Sequence, residues 1–134
     1  MDQPQDIVAL IKERDTFAHK LGIEILEASE GCSRVRMELG ADTANALGNV
    51  HGGVIFSLAD LAFASACNSE GIISVAIESN IHYLAPLKSE GPLEARGMKI
   101  RETRRLGFFR IEVYPPGADN IAVLQAIAFR KRKD

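Results

Sequence analysis

The sequence predicts an α+β fold, a curved and largely antiparallel sheet wrapped round one long helix. Three observations lead there. The elements are segregated, with one short helix, two strands, one long helix and then four strands. The long helix, His51 to Ser69, is apolar on nearly every side, so it must be enclosed rather than laid on a surface. Strict alternation of apolar and polar residues marks the segments around it as half-buried strands.

Taken in order, residues 6–20 (DIVALIKERDTFAHK) place Ile7, Leu10, Ile11 and Phe17 at near-helical spacing, which predicts a short amphipathic helix. Leu21 to Ala28 and Ser33 to Leu39 read as two strands with Gly31 in the turn between them. In the second, Val35, Met37 and Leu39 alternate with Arg34, Arg36 and Glu38. Residues 40–50 are a loop by composition. The long helix follows, with Gly71 placed to cap it. Strands are predicted at about 73–85, 92–104, 106–115 and 120–131, separated by turn signals at Lys88 to Pro92, Arg104 to Gly107 and Pro115 to Asn120. Ile73, Val75 and Ile77 alternate with Ser74, Ala76 and Glu78, and the last strand, IAVLQAIAF, reads as covered on both faces.

With 134 residues the chain suits a single domain, 1–134, that buries a real core. The N-terminal stretch MDQPQDIVALIKERD is acidic and amphipathic and lacks the pattern of a signal peptide. No apolar run reaches the roughly 20 residues of a membrane span. A cytoplasmic protein with no membrane contact is the expectation. Cys32 and Cys67 form no CxxC and read as reduced thiols. His19, His51 and His82 are scattered without metal-site spacing, so no metal is expected. Charge is uneven. Residues 1–95 carry a net of −8 and residues 96–134 a net of +6. The basic third suits a phosphorylated ligand, or else is a solvated strand face with a basic tail from Arg130 to Lys133. With little aromatic interleaving and no nucleic-acid motif, DNA and RNA are not expected partners.

The most specific string runs Asn45, Gly48, His51-Gly52-Gly53, Phe56, Leu58-Ala59-Asp60, Ala62-Phe63-Ala64, then Asn68 and Gly71. It resembles the signature of the hotdog-fold acyl-CoA thioesterases, in the phenylacetic-acid-degradation (PaaI-type) branch. The resemblance covers nearly the whole chain, including the element order and length. It implies hydrolysis of an acyl-CoA or aryl-CoA thioester to free acid and coenzyme A. No separate cofactor is implied, since coenzyme A is part of the substrate. It also implies self-association as a homodimer and, beyond that, a homotetramer.

Physical chemistry points at the same residues. Gly52 and Gly53 lie at the start of a helix, where backbone N–H groups lack internal partners and the dipole is positive. A thioester carbonyl oxygen, negative during attack, suits that place. A tight loop-to-helix turn uses the same glycines, so alone they define no site. Asp60 lies eight residues past Gly52, about 12 Å along the axis. Both cannot reach one carbonyl within one chain. Two antiparallel helices related by a two-fold axis would set Asp60 of one chain beside Gly52 of the other. An inter-subunit hydrogen bond or salt bridge is the plainer reading of Asp60. Partial burial would raise its pKa and suit a base.

By resemblance, Asp60 acts as general base or nucleophile and the Gly52 N–H polarises the carbonyl. Asn45 places the carbonyl or the water, and His51 lies near the thioester, touching substrate or fixing the loop. Gly53 borders the substrate but is, with Phe56 and Asn68, mainly structural. Leu61, Phe63, Val75 and Ile77 are expected to line the acyl pocket. The small side chains Ala62, Ala64 and Ala66 leave room for an aromatic ring or serve close packing. Arg101, Arg104 and Arg105, with Arg110, Arg130 and Lys131 nearby, are candidates for the coenzyme A phosphates. One departure stands out: Ala76 falls where relatives often carry a Ser or Thr that holds water. Two other readings compete, an acyl-thioester hydratase or dehydratase using His51 and Asp60, and an acyl-CoA-binding protein without catalysis.

Overall fold

A computed structural model describes residues 6–132. The expected single N-terminal helix is two, α1 (Ile7–Arg14) and α2 (Thr16–Leu21). Asp6 caps α1 by accepting the Ala9 N–H at 2.9 Å. Asp15 breaks the helix: its own N–H ends α1 on Ile11 while its side chain caps α2. The break changes the helical phase. Ile7 is buried and Ile11 packs on the core, but Phe17 is exposed instead of sharing their face.

β1 (Glu24–Ser29) and β2 (Cys32–Leu39) form a hairpin through Glu30 and Gly31, both at positive φ (53° and 81°), the geometry of a two-residue primed turn. Then come α3 (Gly52–Cys67), β3 (Ser74–Tyr83), β4 (Gly91–Glu102), β5 (Leu106–Tyr114) and β6 (Ala122–Arg130). The six strands form one antiparallel sheet in the order β1-β2-β4-β5-β6-β3. Every strand contacts α3, which requires the sheet to curve round it.

The helix buries Leu58, Ala59, Ala62, Phe63 and Ala66 against Val35, Leu93, Ile111 and Leu124. Each large side chain fully buried here contributes about 1.5–3 kcal/mol relative to exposure. Phe63 meets Phe109 edge to face, with ring centroids 5.6 Å apart. The closest approach of helix to sheet is at Gly97. A Cβ there would lie 2.9 Å from Ser33 Oγ and 3.0 Å from the Ala62 carbonyl oxygen. Gly97→Ala is therefore expected to destabilise by about 1–3 kcal/mol, read as a lower melting temperature.

Asn68, not Gly71, caps α3. Its Nδ2 donates to the Ala64 and Ser74 carbonyls (2.9 and 3.1 Å) and its Oδ1 accepts the Ser74 N–H at 2.8 Å. This side chain ties the helix end to β3. Gly71 serves the next turn, at φ 82°.

β3 is an edge strand, and its phase differs from the expected one. Ala76 pairs with Ala128, on the face towards the helix, and Val75 pairs with Phe129 on the opposite face. A register shift between Ala76 and Glu78 makes Ile77 the extra residue of a bulge. Ile73, Val75 and Ile77 are all exposed. β6 is not covered on both faces: its residues alternate between buried and partly exposed, with Gln125 open to solvent.

The basic third is largely neutralised across the sheet. Arg96 and Arg110 pair with Glu112, and Lys99 bridges Glu70 and Glu102. Arg130 is buried, pairs with Glu102 and donates to the Thr103 carbonyl at 2.8 Å, so it holds the β4–β5 turn rather than a phosphate. Lys131 and Arg132 are exposed. Lys133 and the first five residues of the acidic N-terminal stretch lie outside the described residues.

Candidate active site

The loop before α3 is built to present donors. Thr43 Oγ1 accepts the Gly40 N–H at 2.9 Å and lies 2.9 Å from Ser89 Oγ, tying the loop to the β3–β4 connection. Asn45 Oδ1 accepts the N–H groups of Leu47 and Asn49 at 2.9 and 3.1 Å. A backbone N–H can only donate, so this fixes which end of the amide is oxygen. Nδ2 is then the end left to face a ligand, and it is a donor only. Asn45→Asp keeps the loop acceptor and removes that donor. We expect it to preserve the fold and to lower kcat/KM for a thioester by about tenfold or more.

His51 is the N-cap of α3. Its Nδ1 accepts the Gly53 N–H at 2.9 Å, and its carbonyl accepts from Val54 and Ile55 at 2.9 and 3.2 Å. An accepting Nδ1 carries no proton, so in the neutral ring the hydrogen sits on Nε2. The cap uses three of the first four helix donors. The Gly52 N–H has no acceptor among the described residues. Tyr83 Oη donates to the Gly52 carbonyl at 3.0 Å, and a Cβ at position 52 would lie 3.3 Å from it. Asn45, Asn49, Gly52, Ile55, Tyr83 and Leu84 line one cleft of about 290 Å³.

Asp60 is not in that cleft. It lies at a second recess of about 110 Å³, lined with Asp15, Phe17, Phe56, Leu61 and Ala64 among others. Although exposed in the single chain, its carboxylate is flanked by apolar walls. Loss of water on that side, and to a lesser degree the charge on Asp15, push its pKa up. The stripe Gly53, Phe56, Ser57, Asp60 and Ala64 is the side of α3 that the sheet leaves partly or fully uncovered.

Of the other expected site residues, Leu61 lines the Asp60 recess. Phe63 does not line a pocket, being 1% exposed in the core. Val75 faces away from α3 and Ile77 sits in the bulge, so neither forms a wall with the helix. Gly53 serves the cap through its N–H to His51, and its carbonyl accepts from Ser57 Oγ one turn on. Arg101 lies across the sheet, in an outer-face groove with Ile100, Phe108 and Ile127. Arg104 and Arg105 stand in the β4–β5 turn. That turn is held by Arg130, the partner of Ser74, whereas Gly52 touches Tyr83 at the other end of β3. The two ends are roughly 30 Å apart. Ala76 offers no hydroxyl, and Ser79 shares its helix-facing side of β3. The sequence reading missed Tyr83 and Asp15. Tyr83 sits two residues past Ile81, on the same face, and that spacing was the available signal. Among the described residues no group of three or more His, Cys, Asp or Glu is placed to hold a metal. None of the helices described is long and apolar enough to cross a membrane.

One long helix wrapped by a six-stranded antiparallel sheet, with the Gly52 N–H left over at the helix start, is the hotdog architecture. The chain belongs to the thioesterase superfamily, whose profile matches residues 47–121. It is 35% identical over 118 residues to the acyl-coenzyme A thioesterase PaaI of Escherichia coli (strain K12), covering 88% of this chain and 84% of that one. The structure of E. coli PaaI, from the phenylacetic acid degradation operon, superposes with a TM-score of 0.88 at 33% identity, over 92% of this chain and 90% of that one. A crystal structure of a Thermus thermophilus protein superposes at 0.82 with 36% identity, over 87% and 98%. The reaction class is thioester hydrolysis.

Proposed function

We propose that this protein hydrolyses an acyl-CoA or aryl-CoA thioester to free acid and coenzyme A, in sites shared between two copies. The observation that carries this is the separation of the two half-sites. The Gly52 N–H and Asn45 Nδ2 line one cleft, and Asp60 lies at another along the same helix. The uncovered stripe of α3 and the exposed apolar edge β3 are the surfaces a second copy would cover.

In the shared site the thioester carbonyl oxygen accepts from the Gly52 N–H of one chain. Asp60 of the other takes a proton from water as the water oxygen bonds to the carbonyl carbon. The oxyanion collapses, the carbon–sulfur bond breaks, and the thiolate leaves with the proton that Asp60 took from the water, which restores the carboxylate. Asp60 acting as nucleophile would instead form a mixed anhydride that water then opens. Single-turnover hydrolysis in heavy-oxygen water identifies an anhydride that water opens at the Asp60 carboxyl carbon, since that route alone places label in the Asp60 carboxylate. The His51 geometry disfavours a hydratase, because its Nδ1 is held by the cap and its Nε2 carries a proton.

Acyl-coenzyme A as substrate class is supported by the name of the E. coli relative. It is also supported by the basic turn. A two-fold axis that sets Asp60 beside its mate's Gly52 carries Arg104 and Arg105 of the Asp60 chain to the same end. Arg104 and Arg105 are the proposed phosphate contacts, whereas Arg101 opens on the outer face of the sheet. The test is thiol release from a panel of CoA thioesters graded in acyl length and aromaticity. No release from any of them by a folded, self-associated protein would sink the reading, and tight acyl-CoA binding without product would favour a binding protein.

A further inference from the structure

The joint between α1 and α2 holds a carboxylate in a fixed place beside Asp60. The Asp15 N–H closes α1 on the Ile11 carbonyl at 3.0 Å, and Asp15 Oδ1 opens α2 on the Ala18 N–H at 3.0 Å. Anchored at both ends, Asp15 lines the same recess as Asp60, with Phe17, Phe56 and Leu61 as apolar walls. We propose that Asp15 is a positioning residue for the hydrolysis, a fixed negative charge held across this recess from Asp60. The proposal rests on Asp60 being the acid–base group of the proposed function.

The surroundings are sparse in other charges. Asp15 and Asp60 are the titratable residues lining the recess, and Ser57 is its other polar side chain on α3. Cys67, further along α3, is pushed up to about 12 by burial and remains a thiol. Lys12, His19 and Glu24 line the adjoining groove on the far side of Leu61. In the shared site the partner's helix start would add N–H dipoles, whose positive end acts against Asp15. Apolar walls reduce solvent screening, so a like charge across the recess is felt more strongly than one on open surface. The upward shift at Asp60 includes a contribution from Asp15, second to desolvation.

A purely structural role makes a different prediction. Asn and Ser cap a helix about as well as Asp. Asp15→Asn and Asp15→Ser therefore keep the joint and remove the charge. Two readouts on the full chain decide: NMR titration of the Asp60 carboxyl carbon, and the pH dependence of kcat/KM for a CoA thioester. We expect the Asp60 midpoint to fall in both variants, and the acid limb of the rate profile to move to lower pH with it. An unmoved midpoint in variants that keep the wild-type melting temperature overturns the proposal. A midpoint that falls while the limb stays put shows the charge coupling but removes Asp60 as the base. That outcome overturns the proposed function and with it the role of Asp15.

Discussion

Asp60→Asn is expected to lower turnover of a CoA thioester by about a hundred- to ten-thousand-fold, the range for loss of a positioned acid–base group. The substitution is close to isosteric, and Asp60 lies outside the core on the side of α3 that the sheet leaves uncovered, so folding should survive, and self-association is measured directly because that side faces the second copy. Steady-state thiol release and sedimentation measured on the same sample check both halves. Turnover that persists in an assembled Asp60→Asn protein would remove this residue from the chemistry. The pH dependence follows from the ionised form being the active one. With its pKa raised by desolvation and then by Asp15, the wild-type rate should climb with pH through an acid limb set above the ordinary carboxylate range.

Stability has the opposite sign. A carboxyl whose pKa is raised in the folded state binds more protons folded than unfolded across the window between its two pKa values. Folding stability contributed by Asp60 is therefore fully present below the unfolded pKa and is lost as pH rises through the folded one. Asp60→Asn should accordingly melt higher than the wild type at neutral pH, a difference that disappears in acid. A functional carboxylate that costs stability is the usual trade at an active site.

Gly52→Pro should be nearly as damaging, by about a hundred- to a thousand-fold in kcat, through loss of a single N–H. The local geometry makes this substitution unusually selective. Gly52 is the first residue of α3, a position where proline is favoured because its missing N–H has no helical partner. The preceding residue, His51, is extended at φ −62°, ψ 133°, as a residue before proline must be. A Cβ at position 52 would lie 3.3 Å from Tyr83 Oη, so the far end of that side chain need shift by only a few tenths of an ångström. The helix should start as before, without its outward donor. Circular dichroism and kinetics on the same protein check this.

The two variants together test the shared site. Each homodimer lacks one half of both sites. In a mixed dimer one site carries both lesions, and the other pairs an intact Asp60 with an intact Gly52. Random reassortment of equal amounts should restore about a quarter of wild-type activity by two-fold symmetry. Recovery that fails despite confirmed mixing would place both residues in one chain's own site, against the separation of about 12 Å along the helix.

How much of this was legible in the residues varies by element. The order of helices and strands was, and so was the enclosed helix. Alternation in Val35, Met37 and Leu39, and an apolar run from Val54 to Cys67, are one-dimensional patterns that fold in only a few ways. The Asn45 to Asp60 string was legible for the same reason, since loop, cap glycines and helix are contiguous. What failed was phase. One aspartate at position 15 split a helix and turned Phe17 outward. One bulge at Ile77 placed Ala76 on the helix side of β3 and Val75 on the other. Alternation on an edge strand does not say which face is inside, because neither face need be covered by its own chain.

Residue type and spacing were enough to single out the candidate groups, a lone acid in an apolar helix and a glycine-rich helix start, because both are local features of the chain. Which of these groups are available was settled only on folding. His51 Nδ1 is closed by the cap, the Gly52 N–H is left over, Asn45 is reduced to a donor, and Phe63 is withdrawn into the core. Availability depends on which hydrogen bonds and contacts other parts of the chain have already made. Those are set by pairings between residues far apart in sequence, such as Tyr83 with Gly52, which no local pattern encodes.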